Sequence, residues 1–366
     1  MSDESAVSSR QPRPALEYPC GEPPAPGSAT EVAPGVLWLR MPLPFTLDHI
    51  NLWALRDGKG WTIVDTGVQS NDTTSAWRSL FAANGALGQG GLERVVVTHM
   101  HPDHVGMAGW LTRKFDCRLW MTRLEYLNCR VLVADTGREA PEDGVRFYRQ
   151  AGWDDDAIEY YRVRFGNFGR MTHALPESFR RIRDGERLQI GDHEWQVLVG
   201  TGHSPEHACL YCAELKLLIS GDQVLPRISS NVSVFPTEPD ADPLHGWLRS
   251  LERIEAAVPD DALVLPAHNE PFRGLHARLG YLAQGHRSSL ARLRRSLETP
   301  KRVVDVFGSL FGRPIDDPRL LSLATGESLA HLNYLVHRGD AVATPDSDGV
   351  LWYERVNRDL AAEVGA

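Results

Sequence analysis

The sequence predicts a layered α/β protein with an inserted helical cap and a small, mainly helical C-terminal region. Three observations predict it. From about residue 34 to residue 268, short apolar stretches bounded by Gly, Pro, Asp or Asn alternate with helical stretches. Residues 122–180 lose the strand pattern and are rich in Arg, Tyr, Phe and Asp. Beyond Pro271 a long arginine-rich helical stretch takes over.

Each element follows from local pattern. GVLWLRM, INLWALR and GWTIVDTG read as the first strands, and NDTTSAWRSLFAANG as a helix capped by Asn71 or Asp72 and closed near Gly85. ERVVVTH returns to a strand, HPDHVGMAGWLTRKF is a loop running into a helix, and CRLWMT is a further strand. The insertion carries helical periodicity in EDGVRFYRQAG and DDDAIEYYRVRFG. ERLQI, HEWQVLVG, HACLYCA and KLLISGD then read as a meander, followed by a helix at DPLHGWLRSLERIEAAV and a strand at ALVLPAH. LHARLGYLAQGHRSSLARLRRSLE is a long helix, and DAVATPDSDGVLWYERV a terminal hairpin. The expected divisions are a flexible, proline-rich arm over 1–30, a main domain over 31–272 with the cap at about 122–180, and a C-terminal helical domain of winged-helix type over 273–366.

The 366 residues, 42% hydrophobic and 24% charged, are those of a globular protein rather than a disordered one. A formal charge of -9 argues against a protein that coats nucleic acid electrostatically. The five cysteines are odd in number and scattered, which fits a reducing, cytoplasmic compartment, and CLYC (Cys209, Cys212) reads as strand packing rather than a redox pair. The opening lacks the apolar core of a secretory signal, and no stretch approaches the ~18 apolar residues of a membrane span.

The chemistry concentrates in VVVTHMHPDHVG, residues 95–106. His99 and His101 alternate along extended chain and can reach one side, while Asp103 and His104 follow Pro102, where the chain turns. One loop can thus face two metals. Imidazole and carboxylate suit zinc, manganese or iron, and the absence of cysteine argues against a thiolate-rich structural zinc site. A cluster of surface histidines is the alternative, but further candidates follow apolar strands downstream: His203 in VLVGTGHSPEH, Asp222 at the end of LLISGD and His268 at the end of ALVLPAH. His207 rivals His203, which is preferred because it follows Gly202. Asp65, at a strand end, either orients a ligating histidine or is satisfied within its own turn.

THMHPDH, TGHSPEH, SGD and PAH, with VDTG at residues 64–67, resemble the ordered motifs of the metallo-β-lactamase fold superfamily over about residues 34–272. The resemblance implies a four-layer αββα sandwich. It implies two divalent ions, zinc by default with iron or manganese as alternatives. One would be held by His99, His101 and His203, the second by Asp103, His104 and His268, with Asp222 bridging both. Asp103 and Asp222 are then the candidate catalytic carboxylates, and a hydroxide shared by the two ions attacks a carbonyl. No GxSxG stretch offers a serine nucleophile instead.

Thioesterases, lactonases, nucleases and β-lactamases of this superfamily share these motifs, so the resemblance fixes a reaction class better than a substrate. Its single-iron persulfide dioxygenases fit less well, because His268 completes a second site. The cap offers Tyr148, Tyr160, Tyr161, Phe165 and Phe168 beside Arg146, Arg149, Arg162 and Arg164, suited to an apolar tail with an anionic head, unless the aromatics pack the cap and the arginines are solvated. The expected substrate is a small ester or thioester, foremost an acyl-CoA or acylglutathione. A lactone is the alternative, as is an RNA or other phosphodiester. Pro226, Arg227, Ser229 and Asn231 either line the substrate groove or form a structural loop. Arg287, Arg292, Arg294 and Arg295 raise nucleic-acid processing, against which the acidic balance weighs, and leave homodimer pairing open. A non-catalytic protein that kept the fold is the third class, and the complete ligand set argues against it.

Overall fold

The computed structural model describes residues 13–357 except 45, 46, 89 and 316. The first twelve residues of the expected arm lie outside the described residues; Glu17 already pairs with Arg273 across the surface.

Strands β1 (Ala29–Ala33), β2 (Val36–Pro42), β3 (His49–Asp57) and β4 (Gly60–Val64) form an antiparallel run. Two strands, β5 (Leu92–Val96) and β6 (Arg118–Met121), extend it in parallel. Parallel neighbours need crossovers. Helix α1 (Asn71–Leu80) supplies the first; the short α2 (Pro102–Val105) and α3 (Ala108–Phe115) supply the second. The cap of α1 is Ser70, not Asn71 or Asp72: its extended backbone lets the hydroxyl accept from the Thr73 amide at 3.0 Å.

The insertion contains α4 (Arg123–Ala134), α5 (Glu142–Gln150) and α6 (Asp155–Arg164), then returns as the two-residue β7 (Arg180–Arg181), which closes the seven-stranded sheet. The second sheet is the expected meander β8 (Arg187–Ile190), β9 (His193–Gly200), β10 (His207–Cys212) and β11 (Leu217–Gly221). Helix α7 (Pro243–Ala257) then leads to β12 (Leu263–Pro266), parallel to β11.

The period of two along each strand sorts side chains into layers. Val36 and Trp38 of β2, with Trp53 and Leu55 of β3, meet Trp195, Leu210, Ile219 and Leu265 between the sheets. Their alternates Leu39, Met41, Ile50 and Leu52 face Trp77, Leu80 and Leu111 of α1 and α3. Helix α7 covers the far side of the second sheet. The result is the four-layer αββα sandwich.

Residues 275–355 add α8 (Leu275–Ser296), α9 (Phe307–Phe311), α10 (Pro318–His337) and the hairpin of β13 (Ala341–Pro345) and β14 (Leu351–Arg355). They have no separate core. Leu279, Leu332 and Tyr353 share one apolar cluster with Trp247 and Leu251 of α7 and with Phe147, Tyr148, Trp153 and Ile158 of the insertion. The indole of Trp153 donates to Thr325 Oγ1 at 2.9 Å. Helices α5 and α6 of the insertion therefore brace the C-terminal helices, and Tyr148 serves that packing: it is buried, stacked on Trp153 and touching Tyr161. The insertion's arginines make surface contacts, Arg146 with Asp143, Arg149 with Asp155, Arg162 with Glu142 and Arg164 over Tyr160. Periodicity marked these faces as apolar without saying what they would meet.

Among the described residues no helix is long and apolar enough to cross a membrane. Because sandwich and C-terminal helices share a core, one denaturant transition is expected for the whole chain, and Trp153→Ala should lower its stability by about 3–5 kcal/mol. Equilibrium unfolding followed by tryptophan fluorescence and far-UV circular dichroism checks both; two separated transitions would contradict the shared core.

Candidate metal centre

Strands β9, β11 and β12 run the same way, so their C-terminal ends share one edge of the sandwich. His203, Asp222 and His268 follow those ends directly, and the loop after β5 reaches the same edge, where the Ala208 amide donates to Thr98 O at 2.9 Å. Seven side chains from four chain segments meet there. His99, His101, His203 and Asp222 bring ligand atoms within 4.8 Å of one another, as do Asp103, His104 and His268. Asp222 faces both groups: its Oδ2 lies 3.4 Å from His203 Nε2, and its Oδ1 lies 3.5 Å from His104 Nε2 and 3.4 Å from His268 Nε2.

The spacing fits metal ions. His99 Nε2 is 2.9 Å from His101 Nδ1 and 3.3 Å from His203 Nε2, and Asp103 Oδ2 is 3.4 Å from His268 Nε2 and 3.7 Å from His104 Nε2. Ligands about 2.0–2.1 Å from a tetrahedral zinc stand about 3.3 Å apart. The outer nitrogens fix which atoms are free. His203 Nδ1 donates to Asn231 O at 2.8 Å, His268 Nδ1 to His49 O at 2.9 Å, and His104 Nδ1 to Asp65 Oδ2 at 2.8 Å. Each remaining Nε2 turns a lone pair inward, where it repels its neighbours unless a cation lies between them. His104 Nε2 and Asp222 Oδ1 are buried without a hydrogen-bond partner in the described structure, as expected of atoms shaped to hold an ion.

The electrostatics agree. Burial, reinforced by the neighbouring imidazoles, lowers His101 to about 3 and drives His99 well below its ordinary value, so both are neutral donors. Burial works against the charged forms of Asp103 and Asp222, but the surrounding histidines prevail, holding Asp103 at about 2 and Asp222 well below its usual range. Burial likewise opposes protonation of His104 and His268, yet Asp65, Asp103 and Asp222 raise His104 well above its ordinary value, and Asp222 with Asp103 raises His268. The carboxylates thus favour positive charge at His104 and His268, the same field that favours a cation between them.

Asp65 orients a histidine as well as serving its own turn: besides His104 it accepts from the amide and hydroxyl of Thr98, both at 2.8 Å. His207 stands behind the ligands, its Nε2 accepting from the Asp222 amide at 3.1 Å. Gly221, at φ 51°, is the residue that permits this approach, since a Cβ there would lie 2.6 Å from the His207 ring. Gly202, at φ 103°, packs the His203 turn onto α7, where a Cβ would lie 2.6 Å from that of Trp247.

Sequence reading missed three supports. Glu125, fully buried at the start of α4, accepts from the Met100 amide at 2.9 Å and the Glu206 amide at 2.8 Å, tying the His99–His104 loop to the His203 turn. Asn51 donates to Pro266 O and Asn269 O, and His49 Nε2 accepts from the Asn269 amide, which together fix the turn bearing His268. None lies in a motif. The DH dipeptide before INLWALR was the sole local hint, for His49.

Fold and donor set define a metal-dependent hydrolase with a two-ion centre. A family profile described as "Metallo-beta-lactamase superfamily" matches residues 45–268, and the chain belongs to that superfamily. A second profile, "Metallo-beta-lactamase-like, C-terminal domain", matches residues 290–356. The chain is similar to the crystal structure of a beta-lactamase domain protein from Burkholderia ambifaria, with 42% identity, a TM-score of 0.84, and coverage of 93% of this chain and 98% of that one. It is also similar to a metallo-beta-lactamase family protein from Thermus thermophilus, with 26% identity, a TM-score of 0.74, and coverage of 89% and 100%. Among curated proteins, the probable metallo-hydrolase YqjP of Bacillus subtilis is 27% identical over 310 residues, 82% of this chain and 92% of the relative.

Loading the centre should displace the protons on His104 and His268, so metal affinity should fall as pH drops through their raised values. Calorimetric zinc titrations in two buffers of different ionisation enthalpy measure this directly. Proton release at neutral pH is expected, and its absence would contradict the assigned electrostatics. Gly202→Ala should cost about 1–3 kcal/mol and weaken metal binding through His203, measured by thermal unfolding and metal titration.

Proposed function

We propose that this protein hydrolyses acyl thioesters, with acyl-CoA or acylglutathione as the substrate class, at a centre of two divalent ions, zinc by default. The observation that carries the reading is Asp222, whose two oxygens face the two ligand groups. When bound, such a pair of ions supplies a nucleophile from water near neutral pH and polarises a carbonyl. The chain's own residues hold that arrangement rigid. Asp103 and Asp222 stay ionised beside the imidazoles, and Asp65, Asn231 and His49 keep the rings of His104, His203 and His268 turned inward.

Support for a thioester comes from relatives and from the surface. Bovine acyl-coenzyme A thioesterase MBLAC2 is 24% identical over 250 residues, 65% of this chain and 79% of that one. The atrochrysone carboxyl ACP thioesterase of Aspergillus fumigatus is 23% identical over 235 residues, 64% of this chain and 41% of that one. Near the centre, Leu124 and Leu127 of α4 are exposed, and the Leu124 amide donates to Glu206 in the His203 turn. Leu323, whose main-chain oxygen lies 3.5 Å from the Asn231 side-chain amide, is exposed as well, and such apolar surface suits an acyl chain.

Phosphodiester cleavage ranks behind this. The C-terminal helices and hairpin follow the order of a winged-helix unit, but Arg292 is spent on Ser309 O and Leu310 O, and Arg294 lies 3.8 Å from Asp340. We read the region as structural support. The cysteines all stand as free thiols, which supports a reducing, cytoplasmic setting.

Zinc- or manganese-loaded protein is expected to turn over members of a panel of acyl-CoA and acylglutathione thioesters. Lactones, phosphodiesters and β-lactams run alongside as the competing readings. His101→Ala or Asp222→Ala should remove about 4 kcal/mol of transition-state stabilisation, on the order of 1000-fold in kcat/KM, with the fold intact by circular dichroism. No thioester turnover, or full activity in either variant, overturns the reading.

A further inference from the structure

Helix α10 reaches the metal centre through a chain of contacts. His203 Nδ1 donates to the main-chain oxygen of Asn231 at 2.8 Å. The side-chain amide of Asn231 donates in turn to Glu327 Oε2 on α10 at 2.9 Å, and its Oδ1 accepts from the Ser233 hydroxyl. The same loop is pressed onto α10 a second time. The Val234 amide donates to Gly326 O at 3.0 Å, and a Cβ on Gly326 would meet Ser233 Oγ at 2.7 Å and Val234 O at 2.9 Å. Glu327 is itself held by its helix, where His331 Nδ1 donates to its main-chain oxygen at 2.8 Å.

We propose that Glu327 is a positioning residue for the metal centre: by clamping Asn231 it fixes the carbonyl that orients His203, so α10 governs how firmly the ion between His99, His101 and His203 is held. The inference rests on the two-ion reading of the site and not on the choice of thioester. An imidazole bound to metal through Nε2 needs its Nδ1–H on a fixed acceptor, and such outer contacts are worth about 10–100-fold in metal affinity. Here the acceptor belongs to an irregular loop, the segment between Asp222 and α7, with no strand or helix of its own to hold it. Arg278 of α8 holds its first part through Leu225 O and Ile228 O at 2.6 and 2.7 Å, and the clamp on α10 holds the Asn231 end. Burial lifts the Glu327 carboxyl to about 7 while the Asn231 bond opposes that rise, so a neutral acceptor of the same shape is a fair substitute.

The test is zinc affinity of the full chain, measured by competition with a chromophoric chelator in the absence of substrate. Glu327→Ala is expected to weaken one of the two zinc ions about tenfold, with Glu327→Gln, which keeps an acceptor oxygen, within about twofold of the parent protein. Asn231→Ala, at a partly exposed loop position, should reproduce the loss even if Glu327→Ala fails to fold. Leu329→Ala, which cuts into the shared apolar core from the same helix, should lower the melting temperature without changing zinc affinity. Parent-like zinc affinity in Glu327→Ala and Asn231→Ala overturns the proposal, and so does an equal loss in Leu329→Ala or Glu327→Gln. Because no substrate is involved, failure of the thioester assignment leaves this outcome unaffected.

Discussion

Inward-facing nitrogens and carboxylate oxygens crowded to about 3 Å inside a protein edge are a liability unless positive charge lies among them. That constraint organises this molecule. The candidate ligand side chains are buried or nearly so, and the carboxylates of Asp65, Asp103 and Asp222 hold His104, and those of Asp222 and Asp103 hold His268, above their ordinary values against the effect of burial. The surrounding structure exists to keep such an arrangement from relaxing. Asp65 and the carbonyls of Asn231 and His49 occupy the outer sides of His104, His203 and His268, so none of these three rings can turn away without breaking a hydrogen bond, and His207 accepts from the Asp222 amide.

The fold makes this convergence cheap in chain length. Strands that run the same way deliver three ligands to one edge, and the loop after β5 delivers four more. Because the two sheets bury Trp38, Trp53 and Trp195 between them, the edges that carry the ligands are fixed by a close-packed interior rather than by the loops themselves. Glu125 then joins the two loops with a single buried carboxylate.

Much of this was legible in the sequence, for a physical reason. A side chain that follows a strand end leaves a local trace, an apolar run stopping beside His or Asp, and the seven candidate ligands sit in four such places: VVVTHMHPDH, VLVGTGH, LLISGD and ALVLPAH. The meander and the helical insertion were legible through their periods of two and 3.6. What escaped depends on distant partners. Glu125 looks like any acidic residue near a helix start, His49 and Asn51 act through a turn more than 200 residues away, and the serine that caps α1 is one residue outside the expected pair. The insertion shows the same limit: its apolar faces were plain, but only tertiary packing reveals that those of α5 and α6 share a core with α10 and the C-terminal hairpin while Tyr126 and Cys129 of α4 pack on the sandwich.

The central claim is that this edge is built around two cations rather than around a hydrogen-bonded histidine cluster. Elemental analysis of the purified protein, dialysed against metal-free buffer and then against a divalent metal, measures that most directly. The account predicts about two ions per chain, as the two ligand groups require. A preparation that stays folded and retains none, or stops at one, would contradict it.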